Sequence, residues 1–158
     1  MSKREDTIQM SVGGLTLDPV TKTPIVILKD TDNKLNLPIW IGLLEATAMA
    51  TEIEGIKMAR PMTHDLLKNI LGEVGCAVES VEITELKENT YYALVHINVG
   101  GRELVVDSRP SDAIALALRS SAPDELMRVS AHAASMPPSK AYLRSGSILT
   151  SSGSFMCS

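Results

Sequence analysis

Four carboxylates, one histidine and two arginines fall where strands or helices end and new helices begin. Glu45, Asp65, Asp107 and Asp112 are side chains that can hold a divalent cation or activate a water molecule. His64 can take or give a proton near neutral pH. Arg60 and Arg109 carry the planar fork that grips phosphate oxygens two at a time. Each also has a plain structural role. Glu45, Asp65 and Asp112 are expected in first helical turns, where a carboxylate stabilises the helix by roughly 0.3–1 kcal/mol whatever else it does. Arg60 and Arg109 can pair with Asp65 and Asp112 and lock the junctions in place. His64 can be an exposed residue at a helix start, and His96, inside a strand, reads as a cross-strand surface residue.

The elements that must position these groups follow from a repeat. Leu37 to Ala50 aligns without a gap on Leu104 to Ala117, and both copies read as a strand running into a helix with an acid in its first turn (Glu45, Asp112). Arg60-Pro61-Met62-Thr63-His64-Asp65 restates the Arg-Pro-x-x-acid pattern of Arg109 to Asp112. Strands are expected at 8–17, 24–28 and 35–41, with Gly13-Gly14 as a bulge and 29–34 as a turn. A helix follows over 43–57, its alanines 46, 48 and 50 offering a surface for close approach. Pro61 breaks the chain, and Thr63 is a good N-cap for a second helix to about residue 74. Strands at 78–86, 91–99 and 102–107, a Gly100-Gly101 hairpin and a helix over 110–120 complete the second half. The expectation is an α+β domain: a mainly antiparallel mixed sheet built from two β-β-β-α halves, an extra helix between them, helices on one face.

Composition narrows the function. Of 158 residues, 15 are Lys or Arg and 19 Asp or Glu, for a net charge of -4, which is not the basic footprint of a dedicated nucleic-acid binder. Aromatic residues make up 3%, so Trp40, Tyr91 and Tyr92 read as too few for a base-stacking platform. The longest apolar runs fall far short of the roughly 20 residues that span a bilayer, and the charged start is followed by no stretch of signal-peptide length. A cytoplasmic chain with no membrane partner is expected. Cys76 and Cys157 cannot make a disulfide framework or a zinc knuckle by themselves. The domain is expected to occupy residues 1–123, with 124–158 a Ser-rich, flexible tail in which 124–135 can form a short helix.

Three motifs in order, Leu37-Pro-Ile-Trp-Ile-Gly with Glu45-Ala46, Arg60 to Asp65, and Asp107-Ser-Arg-Pro-Ser-Asp112-Ala-Ile-Ala-Leu-Ala, resemble the bifunctional nuclease family. The resemblance covers roughly Thr7 to Pro123, and Asp124 onward departs from the further apolar strand usual in that family. It implies a mixed α/β domain, homo-oligomers and activity on DNA and RNA. On that basis Glu45, His64, Asp65 and Asp112 are the catalytic candidates. Arg60 and Arg109 are the phosphate ligands, and Glu45, Asp65 and Asp112 the ligands of Mg²⁺ or Mn²⁺. The alternative is a non-catalytic oligomeric module that binds an anionic ligand or a protein partner. In that case the Arg–Asp pairs are buried and satisfy one another, and no cleft lies beside them. Glu85-Leu86-Lys87 has the Glu-x-Lys shape of one endonuclease class, but Lys87 falls in a hairpin turn.

Overall fold

The computed structural model describes residues 6–136. The order of elements is β1 (Thr7–Leu17), β2 (Pro24–Asp30), β3 (Asn36–Trp40), α1 (Leu43–Ile53), α2 (Thr63–Glu73), β4 (Cys76–Lys87), β5 (Thr90–Val99), β6 (Arg102–Ser108), α3 (Pro110–Leu118), α4 (Pro123–Leu126), β7 (Met127–Ser130) and α5 (Ala131–Ser135). The two expected β-β-β-α halves are there, with α2 between them. They join in one seven-stranded sheet of order β3-β2-β1-β7-β4-β5-β6. Every pairing among the described residues is antiparallel except β4 with β7. The domain is thus mixed α+β.

Local chemistry explains most boundaries. The register of β1 on β2 shifts between Val12 and Gly14, the bulge the glycine pair implied. A side chain at Gly13 would run into the stem of Lys29. Gly100 and Gly101 both have positive φ and close the β5–β6 hairpin. Helix α1 stops at Ile53, short of the expected residue 57, because Gly55 adopts a left-handed φ of 65° just beyond the cap. Helix α2 is capped by Met62 and not by Thr63. The first-turn Asp65 reaches back and accepts a hydrogen bond from the Met62 N–H at 2.8 Å, which removes the need for a Thr63 cap.

The boundary expected at residue 123 is corrected. Met127 and Val129 are fully buried, and β7 lies between β1 and β4 in the middle of the sheet. Only four residues long, Met-Arg-Val-Ser alternates buried and half-buried positions, a period too short to stand out in a Ser-rich stretch. An apolar strand therefore does follow Asp124. The remainder of the expected tail, 137–158, lies outside the described residues.

The core sits between the sheet and the helices. Val26, Leu28, Val81, Ile83, Ala93 and Val95 of the strands meet Ala46 and Met49 of α1 and the apolar run of α3. Helices α1 and α3 touch, and α3 also touches α2. Buried alanines at 46, 48, 113, 115 and 117 allow that approach.

Candidate active site

The three junctions meet. Glu45 lies in the first turn of α1, Asp112 in the first turn of α3, and Arg109 is the residue just before α3, with Pro110 preset for the opening helical position. Arg109 donates from Nε to Asp112 Oδ2 at 2.6 Å and from Nη2 to Asp112 Oδ1 at 3.0 Å, a two-point grip. Its Nη1 donates to Glu45 Oε1 at 2.9 Å. A guanidinium has five N–H groups, so two remain, and the side chain is 64% exposed. Asp112 and then Glu45 hold Arg109 more firmly protonated than an ordinary arginine. Gly42, just before α1, leaves the space that Glu45 needs; a Cβ there would overlap Glu45 Oε2.

His64 extends the chain of contacts from α2. Its Nε2 stands 3.1 Å from Asp112 Oδ1 and the side chain is 14% exposed. A carboxylate can only accept, so Nε2 carries the proton and Nδ1 is the ring's free base when the imidazole is neutral. Burial works to raise the Asp112 pKa, yet the hydrogen bonds from Arg109 and His64 hold its carboxyl below the usual range.

Asp65 faces another way. Its Oδ2 takes the Met62 N–H, and its Oδ1 takes Arg119 Nε at 2.5 Å. The backbone bond from Met62, followed by Arg119, lowers its pKa against the effect of burial. Arg119, 5% exposed, also donates to the carbonyls of Ala115 at 2.8 Å and Ala48 at 3.0 Å. It thereby ties α1, α2 and α3 together. Nothing in the motifs pointed to Arg119; the available signal was an arginine ending an otherwise apolar, alanine-rich helix. Arg60 is outside this chain of contacts. It is exposed and lines a separate cleft of about 340 Å³ with Lys57, Asp65 and Arg119. Asp107 is exposed on β6, paired with Leu94. His96, on the sheet surface, contacts Glu103 at 2.8 Å and Glu82 at 3.7 Å.

Glu45, Asp65 and Asp112 do not fit one metal centre as arranged. The first and last share Arg109, and both oxygens of Asp65 are engaged. Among the described residues no group of three or more His, Cys, Asp or Glu side chains is placed to hold a metal ion. No described helix is long and apolar enough to cross a membrane.

A cleft of about 350 Å³ opens beside Arg109 and Glu45, walled by Trp40 and Tyr91. Trp40 is held by a residue the motifs also missed. Buried Asp18 accepts the Val20 and Thr21 N–H groups on one oxygen and the Trp40 indole N–H, at 3.3 Å, on the other.

Comparison with known proteins adds a second line. The model of the bifunctional nuclease domain matches residues 26–132. An uncharacterized protein of Mycobacterium tuberculosis is 36% identical over 115 residues, 73% of this chain and 68% of that protein. Bifunctional nuclease 1 of Oryza sativa subsp. indica is 29% identical over 107 residues, and bifunctional nuclease 2 of Arabidopsis thaliana 26% over 127. These matches take 66% and 78% of this chain but only 32% and 39% of the plant proteins.

Proposed function

The chain belongs to the bifunctional nuclease domain family, and from that premise we propose that it hydrolyses phosphodiester bonds of DNA, RNA or both. The observation that carries this reading is the continuous line Glu45–Arg109–Asp112–His64, drawn from three helices, whose Glu45–Arg109 end borders a cleft. Arg109, fixed by two carboxylates, offers its two remaining N–H groups to the phosphate oxygens and to the charge that grows on them. Asp112 orients His64 so that Nδ1 takes a proton from the attacking water or returns one to the leaving oxygen, an effect of about 10²–10⁴-fold. Glu45 is a positioning residue for Arg109. Asp65 acts at one remove, holding α2 and so His64 against α3. On this reading Arg60, in the second cleft, holds phosphates further along the strand.

The test is hydrolysis of plasmid DNA and single-stranded RNA by tag-free full-length protein with Mg²⁺, with Mn²⁺ and with a chelator. His64→Ala, Asp112→Asn and Glu45→Gln are expected to abolish or strongly reduce cutting. Cutting that persists unchanged in all three variants belongs to a contaminant or another site.

A second reading has one observation in its favour. All three carboxylates are already satisfied by arginines, as in a binding module whose junctions only hold the fold. Such a module would bind an anionic ligand at Arg109, form oligomers and show no turnover under any of these conditions.

A further inference from the structure

We infer that the cleft beside Arg109 is a nucleobase pocket, in which one unstacked base of a single-stranded substrate lies against the Trp40 and Tyr91 rings. This deepens the proposed function and rests on it for the identity of the polymer. The chain has five aromatic residues in all: one Trp, three Tyr and one Phe. Two of the five line this one cleft, next to the arginine placed to hold a phosphate. Its volume of about 350 Å³ is at the small end of the range for small-molecule sites, room for one nucleotide unit and not for a duplex. Recognition of single strands works this way, with a splayed base on an aromatic face and hydrogen bonds to its edge.

Tyr91 takes part through its ring. Its hydroxyl is buried, with no surface open to the cleft, so a base meets the aromatic body of Tyr91 and not its O–H. The neighbouring hairpin is built to deliver a polar edge. Glu88 and Asn89 form its tip with φ of 49° and 64°, a left-handed pair in which Asn is tolerated and Glu is uncommon. That turn sets Asn89 in the cleft wall, where its amide can both donate to and accept from a base. Asp18 fixes the Trp40 indole from behind.

The experiment uses the intrinsic fluorescence of Trp40, the sole tryptophan of the chain. Full-length protein is titrated with AMP, UMP and ribose 5-phosphate. Both nucleotides are expected to quench Trp40 saturably, and ribose 5-phosphate to leave it unchanged. Tyr91→Leu, which removes the ring face, should weaken nucleotide binding by at least about fivefold. Tyr91→Phe, which keeps the ring, should bind like wild type, because the buried hydroxyl does not reach the cleft. Asn89→Gly, which adopts the same left-handed φ but lacks the amide, should weaken nucleotide binding without lowering Tm. Equal quenching by ribose 5-phosphate, no quenching by nucleotides, or unaltered affinity in Tyr91→Leu overturns the pocket. Nucleotide quenching without hydrolysis of any polymer sinks the nuclease reading and keeps the pocket. Hydrolysis without quenching does the reverse.

Discussion

Arg109 is the residue on which the site turns, because it is paired and exposed at once. Its two-point bond to Asp112 spends two donors and its bond to Glu45 a third, while 64% of the side chain faces solvent. Lysine cannot make that geometry, since its ammonium is a point charge without a fork. Arg109→Lys is therefore expected to cost at least tenfold in kcat/KM on any cleaved polymer, with Tm little changed, because an exposed ion pair contributes only about 0–1 kcal/mol. An unaltered kcat/KM would remove Arg109 from the phosphate-binding role. The acids make a pH prediction. Asp65 and Asp112 have lowered pKa values in the fold, so their contribution to stability is complete above the unfolded value of about 3.9. It is lost as pH falls below that value through the depressed folded ones. Thermal melts should show wild-type Tm dropping steeply below about pH 4, and Asp65→Asn dropping less. Parallel curves would show that Asp65 does not contribute through ionisation.

At the scale of elements, the helix starts do two jobs. Each first-turn acid is where the dipole favours it, yet each also spends its oxygens on another element. Asp65 neutralises Arg119, which is buried between α1 and α3. Asp65→Ala leaves that guanidinium with only two carbonyls, and unfolding free energy is expected to fall by about 3 kcal/mol in denaturant titration. Gly42 is the matching case on α1. Its φ of -75° is open to any residue, so only the missing Cβ explains it: Glu45 occupies that space. Gly42→Ala should turn Glu45 away and reproduce the activity of Glu45→Gln with near-normal stability. A Gly42→Ala protein with full activity would show that the Glu45–Arg109 bond is dispensable. These element starts were legible because Pro, Gly and first-turn acids act locally. Arg119 was not, because its partners lie 54 and 71 residues away in the chain.

Across the whole molecule, the two halves are held together through β7. It pairs antiparallel with β1 and parallel with β4, so the last described strand closes a sheet begun by the first. Met127 is completely buried, and Met127→Ala is expected to cost roughly 2–5 kcal/mol, seen as a lower denaturation midpoint. A chain ended at residue 123 should show no cooperative unfolding at all. If it melts like the full chain, β7 is an accessory and the halves hold each other without it.

The residues alone determined the alternation of strand and helix, the doubled strand-to-helix corner, the glycine bulge and hairpin, and the α+β class. These rest on near-neighbour physics: turn chemistry, hydrophobic period and helix-end electrostatics. The same residues named Glu45, His64, Asp112 and Arg109 as candidates, but not that they touch. Tertiary structure decided that, and it also decided what the acids do there. Glu45 and Asp112 close on one guanidinium, Asp65 on another, and Arg60 is left in a different cleft. It set Trp40 and Tyr91 in one wall although the aromatic content had argued against any stacking site. The reason is common to both. Which distant side chains share a cleft depends on how α1, α2 and α3 cross over the sheet. The alanines that allow that crossing were visible in the sequence, but the buried Arg119 that ties the three helices was not, because its partners on α1 and α2 are distant in the chain.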